Sequence, residues 1–482
     1  MRTSLLLASV GLPAALVACT ALLGDFSVGG GDAGDAGGSD APSDAPTLYA
    51  LTCSETTGSR VPLTTGNALN AYPLRLGALS GGNLRVVLAD FPQATDGGAN
   101  TGMVLRGYTF DPHNITSSLA TVNLPTTAYN VFSLIRYTGV TSGFAALFAA
   151  QDPNNSGNPA LWVSKFPDDA PNWAPAQVLA PIPNSGNGNS EQGTFIAVDP
   201  ATDKYFVAYS NTSGNTQSIY MGLLTPGSSF SAPPEQFQTQ SANNPAFSFI
   251  EPGIAQGGTQ PYVALLPNGN NGPPPLGAPV KILVPGGTDI TITPPSNLNY
   301  FPSGFTSSVD PQQADVAFLV ADLNSLTGSY RIGRVPYASL PTFDPQTLAA
   351  TEPPGTDGGV SLTKLFVQSN TQHWESAGGQ GEQYLMVAPT ADPVNQTLLG
   401  GINFAWWDGA TGILRAYQAG QGENLLSDVP YVVSADVTFE TLVGSIAQLS
   451  AAFLDDVGPA KGGNAPPAGD LYFTTIGCLK GQ

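Results

Sequence analysis

Chemistry in this chain has few residues to draw on. Its 482 residues include two histidines, His113 and His373, three cysteines, and 35 Asp and Glu. The two imidazoles lie far apart in sequence, so a Ser-His-Asp triad or a zinc site with several imidazoles must bring both together or work with one. No Gly-x-Ser-x-Gly elbow, His-Glu-x-x-His pair or phosphate loop is present, which argues against the common hydrolase and nucleotide-binding folds. The most conspicuous cluster is His373-Trp374-Glu375. As a ligand-contacting loop it would offer an indole to stack on a sugar and a carboxylate to accept hydroxyl hydrogens. Trp406-Trp407-Asp408 has a similar character: strand neighbours face opposite ways, so one ring packs inside while the other, Trp407, can meet a ligand. Both clusters also read as ordinary packing, a surface turn around a half-buried indole and a core tryptophan.

Paired carboxylates for glycoside hydrolysis must stand about 5–9.5 Å apart. Glu191, Glu251, Asp315, Glu382, Asp436 and Glu440 lie near expected strand starts, where the funnel of a ring-shaped fold would collect them. With so many acids, some pair falls close by chance, and no residue is assigned as catalytic. Calcium is the one cofactor with turns to suit it, at Asp199-Pro200-Ala201-Thr202-Asp203 and from Asp152 to Asn158. Neither has the Asp-x-Asp-x-Asp-Gly order of a dedicated loop, so both read first as Asx-turns and no metal ligand is assigned.

The groups above must be positioned by β-structure. Charged residues are only 10% of the chain, while Gly (56) and Pro (43) are abundant. Amphipathic helices need Lys, Glu and Arg on their wet face, so this is the composition of strands joined by polar turns. Fifteen Lys and Arg against 35 acids give a net charge of -20. That balance argues against nucleic acid as a partner and against electrostatic adhesion to anionic lipid.

Seven short, β-prone runs start at residues 86, 144, 205, 262, 316, 384 and 451, spaced by 58, 61, 57, 54, 68 and 67. Each is followed by a turn rich in Asp, Asn, Gly or Pro and then a partner strand. A period of about 60 residues calls for a repeat architecture. The expected fold is all-β, a β-propeller of about seven blades, with six or eight blades or tandem β-sandwiches as alternatives. The repeats match no named propeller signature. Blade four is the weakest, because 268–279 is almost all Gly, Asn and Pro.

Cys53 and Cys478 flank the β-rich region. An exported chain meets oxidising conditions, so the pair reads as a disulfide, with two unpaired thiols as the alternative. Both lie in strand-like runs. If the N-terminal strand completes the last blade, their bond locks the ring and removes its sheet edges.

The third cysteine belongs to the N-terminus. A basic start, Met1-Arg2-Thr3, precedes a mostly apolar Ser4 to Val17, which is shorter than the roughly 20 residues a membrane span needs and reads as a signal peptide. It closes on Leu16-Val17-Ala18-Cys19, which resembles the lipobox of bacterial lipoproteins. The resemblance implies a diacylglyceryl thioether on Cys19, cleavage before it, and acylation of the new amino group. Thr20 in the next position resembles the outer-membrane sorting signal of enteric lipoproteins. Gly29 to Pro46 has no large side chain and reads as a flexible tether reaching roughly 25–30 Å.

The expected organisation is a signal peptide at 1–18, a tether at 19–47 and a propeller-like domain at 48–482. The leading functional expectation is a lipid-anchored outer-membrane protein, periplasmic or surface-facing, whose head binds an unknown envelope protein or glycan. The rivals are an enzyme on extracellular glycan or another polymer, using funnel carboxylates, and a structural component of an envelope assembly.

Overall fold

The computed structural model describes residues 49–64, 71–90, 103–124, 130–137, 141–153, 155–181, 195–198, 204–213, 216–225, 235–240, 247–255, 260–267, 276–283, 289–307, 313–322, 327–340, 342–350, 360–361, 371–376, 382–391, 398–408, 413–417, 432–443, 446–456 and 469–480. Among them the only helical pieces are two 3-10 turns, Tyr337–Ser339 and Pro345–Thr347, and no helix is long and apolar enough to cross a membrane.

The N-terminal segment holds β1 (Tyr49–Glu55) and the two-residue β2 (Val61–Pro62). Among the described residues, seven antiparallel meanders follow. The first is β3 (Ala71–Ala78), β4 (Leu84–Asp90), β5 (Val104–Asp111) and β6 (Asn114–Asn123). The second is β7 (Asn130–Tyr137), β8 (Gly143–Asp152), β9 (Asn155–Pro167) and β10 (Gln177–Pro181). The third comprises β11 (Phe195–Val198), β12 (Tyr205–Ser213), β13 (Thr216–Leu224) and β14 (Glu235–Gln240). The fourth comprises β15 (Phe247–Ala255), β16 (Gln260–Pro267), β17 (Val280–Leu283) and β18 (Ile290–Ile292). In the fifth, β19 (Asn299–Ser307), β20 (Gln313–Asp322) and β21 (Thr327–Pro336) are edged by two short pieces, β22 (Ala349–Ala350) and β23 (Val360–Ser361). The sixth is β24 (Thr371–Ser376), β25 (Glu382–Ala391), β26 (Leu398–Asp408) and β27 (Ile413–Tyr417). The last has three strands of its own, β28 (Val432–Val443), β29 (Ile446–Asp456) and β30 (Gly469–Lys480), and takes β1 as its fourth.

Each of the seven apolar runs of the sequence is the second strand of a meander. In β4 and β8 the reason is double burial. Along β4 the side chains of Val86 and Leu88 pack with Ala452, Leu454 and Phe473 of the last meander. Val87 and Ala89 pack instead with Phe144, Ala146 and Phe148 of the second. In β8, Ala145 and Leu147 pack the other way, with Tyr205 and Val207 of the third. A strand covered on both faces is continuously apolar and does not alternate. The first strands lie side by side in the order β28, β3, β7, β11, β15, β19, with β24 also beside β28. Sheets packed face to face around such a ring make a β-propeller.

The two ends of the described chain meet in the last meander. Strand β1 runs antiparallel to β30, with Cys53 directly opposite Cys478. It also runs parallel to β27 through Tyr49–Leu51. One strand therefore joins the sixth and last meanders into a single nine-stranded sheet.

Candidate functional site

The expected ligand residues lie in the sixth meander, on strands and not in loops. His373, Trp374 and Glu375 fall in β24, and Trp407 falls in β26. The register puts Trp374 opposite Tyr384 and Tyr384 opposite Trp407. These three aromatics thus form one row across adjacent strands, spaced about 4.8 Å from strand to strand. Tyr384 entered the sequence reading only as part of an apolar run. His373 pairs in register with Leu385, and Glu375 with Gln383.

Among the scattered acids, Asp436 has a defined role. It is 0% exposed on β28. Its Oδ2 accepts the Leu76 backbone N–H at 2.8 Å and its Oδ1 accepts that of Val437 at 3.0 Å. The carboxylate thus ties the first strand of the last meander to the first strand of the first. Glu251, Asp315, Glu382 and Glu440 lie on β15, β20, β25 and β28. Asp315 stands opposite Thr306 on one side and Arg334 on the other. Glu191 lies outside the described residues, as do Cys19, the signal segment, the tether and the oxygen-rich turn 199–203. Of the other oxygen-rich turn, Asp152 and Asn155 face each other as the closing pair of the β8–β9 hairpin. Among the described residues, no three His, Cys, Asp or Glu converge as metal ligands do.

A charged network that sequence reasoning missed joins the first two meanders. Arg85 on β4 is 3% exposed and donates to Thr109 Oγ1 at 2.8 Å, to the Pro167 carbonyl at 2.7 Å and to the Ala170 carbonyl at 3.0 Å. Its guanidinium lies 3.6 Å from the Phe166 ring centroid. Burial lowers its pKa to about 10, partly offset by the Asp168 carboxylate. Arg136 on β7 grips Asp168 with both terminal nitrogens, at 2.8 and 2.7 Å, and donates to the Ala78 carbonyl at 3.0 Å. The glycines at 77 and 107 make room: a Cβ on Gly77 would lie 2.7 Å from Arg136 Nε, and one on Gly107 would strike the Phe166 ring. The one hint in the sequence was scarcity, since an arginine inside an apolar strand stands out in a chain with 15 cations. In the fifth meander, Tyr300 donates to Asp344 Oδ1 at 2.6 Å, and burial with that hydrogen bond pushes its phenol well above the ordinary value.

The cysteine pair is bonded, Cys53 to Cys478, with both residues buried. Beyond β1 the chain continues along β30. Thr56 N–H donates to the Thr475 carbonyl at 2.9 Å, and Leu63 N–H to the Leu471 carbonyl at 2.8 Å. Arg60 pairs with Glu55 at 2.5 Å, and Thr474 donates to the same carboxylate.

No protein-family model and no curated protein matches the chain. Solved structures resemble it distantly. A puromycin-hydrolyzing peptidase from Mycobacterium tuberculosis shares 13% identity at a TM-score of 0.41, covering 85% of this chain, which spans only 55% of that one. The Dos1 propeller shares 10% identity at 0.40, over 88% of this chain and 95% of that one. The β-propeller domain of the trilobed protease of Pyrococcus furiosus shares 9% identity at 0.38, over 85% and 94%. The fold assignment rests on the strand topology and inter-sheet packing described above.

Proposed function

We propose that the chain is a lipid-anchored protein of the bacterial cell envelope, attached to the outer membrane through Cys19, with a propeller head that binds a partner protein or glycan. The observation that carries the reading is the Cys53–Cys478 disulfide, joining directly opposed positions of the first and last described strands. Bonds of this kind form and persist in oxidising compartments, the destination that the lipobox-like Leu16-Val17-Ala18-Cys19 implies. The small-residue composition of Gly29 to Pro46 supports the same reading, because a tether of that composition would let a rigid head stand clear of a lipid surface. A binding role suits the way charge is used here. Asp436, Arg85 and Arg136 hold neighbouring meanders together and Asp168 fixes Arg136 in place, so these charges have structural work.

The test is labelling with a palmitate analogue, followed by membrane fractionation, of the wild-type chain and Cys19→Ser. The reading predicts label and membrane association in the wild type and loss of both in the variant. Label retained in Cys19→Ser overturns lipidation at that residue. Crosslinking in intact envelopes, followed by capture through the head, identifies the partner.

A further inference from the structure

We infer that residues 49–64 form a clasp that carries pulling force from the tether into the propeller, with the disulfide as its stop. The inference rests on the proposed anchoring for the source of the load, but the clasp is a property of the head alone. The strand that receives the tether, β1, is paired on both sides, parallel to β27 and antiparallel to β30. A pull on Tyr49 is therefore shared between two meanders, and the ring's seam lies between the strands that share it.

Beyond Cys53 the segment follows β30 to its start. Ser59 Oγ accepts the Thr475 N–H at 3.1 Å, β2 sets Val61 opposite Phe473, and Thr64 Oγ1 accepts the Leu471 N–H at 2.9 Å. Hydrogen bonds in such a ladder, loaded from one end, give way in succession, and past Thr64 the load would reach the first meander. Cys53 interrupts that sequence. Only Tyr49–Thr52 can leave before the tether pulls on a covalent bond to β30, the central partner of both β29 and β1. Four residues release ~14 Å, whereas the sixteen of the whole segment would release ~55 Å, at 3.3–3.6 Å per residue.

The experiment is single-molecule pulling on the full chain between an N-terminal handle and a peptide tag inserted after Asn187, between β10 and β11. In the unreduced protein the account predicts a first extension no longer than ~14 Å before the meanders give way. In protein treated with a phosphine reductant after folding, it predicts an earlier release of ~55 Å at lower force. Cys53→Ser/Cys478→Ser should reproduce the reduced trace, and reduction of the folded wild type provides the test even if that variant fails to fold. A ~55 Å first step in the unreduced protein, or identical traces with and without reductant, would overturn the clasp. Labelling of Cys19 is read separately, so failure of the anchor and failure of the clasp are distinguishable.

Discussion

Replacing Asp436 by alanine removes a carboxylate that bridges the first strands of the last and first meanders. Two backbone N–H groups lose their acceptor, those of Leu76 and Val437, and Leu76 is 0% exposed. An orphaned buried donor costs about 1–3 kcal/mol, so the pair should cost about 3 kcal/mol, given that Val437 is the immediate chain neighbour and relaxes more easily. Unfolding entropy near 2.1 cal/mol/K per residue makes this a fall of only about 3 °C in Tm for a domain of roughly 430 residues, so a denaturant midpoint is the better readout. Asp436→Asn keeps the shape but offers one oxygen to two donors, and should cost about half as much. The local readout is hydrogen exchange at the Leu76 amide, which should speed up in both variants. A wild-type midpoint with unchanged Leu76 protection would refute the bridging role. So would loss of an enzymatic activity at unchanged stability, since it would put Asp436 in a catalytic site.

Three further outcomes follow from the packing. Arg85→Lys should destabilise by about 1–2 kcal/mol in urea unfolding despite keeping the charge, because an ammonium cannot reproduce the planar contacts to Thr109, Pro167 and Ala170 above Phe166. Gly107→Ala should cost about 2–3 kcal/mol, since its Cβ would meet the Phe166 ring; a neutral result would mean that the second meander shifts freely against the first. Tyr300 has a folded pKa raised above its unfolded value near 10.0, so the native state holds a proton that the unfolded chain releases. Its contribution is complete below pH 10 and is lost as pH rises above it. Tyr300→Phe should therefore lower stability at pH 8 and flatten its decline above pH 10, and an unchanged alkaline slope would contradict the assignment.

The second strand of every meander was legible in the sequence as a continuous apolar run, which in β4 and β8 reflects burial of both faces, and runs such as Phe144 to Phe148 need no structural context to be recognised. Outer strands were not. β18 has three residues and β22 two, too few for any period to show. The closure of the ring was legible through Cys53 and Cys478, whereas the parallel pairing of β1 with β27 was hidden, because a three-residue ladder between distant segments leaves no local pattern. His373-Trp374-Glu375 suggested a loop because Thr371, Gln372 and Ser376 around it are polar, yet the register makes it the first strand of the sixth meander. The Trp374, Tyr384 and Trp407 row appears only once three strands are aligned. Asp436 was visible as an acid near a strand start, but its partner is the backbone of a residue 360 positions away. The contacts of Arg85 to the Pro167 and Ala170 carbonyls are likewise made with main chain, which carries no residue identity.

The account turns on an exported head that is lipidated at Cys19 and closed by Cys53–Cys478, and one measurement addresses both. It is the intact mass of the mature protein extracted in detergent from its native membrane, before and after reduction. The account predicts a chain beginning at Cys19, heavier than its sequence by a diacylglyceryl and an acyl group, and heavier by two hydrogens after reduction. A mass matching an unmodified N-terminus, or two free thiols at Cys53 and Cys478 before reduction, would contradict it.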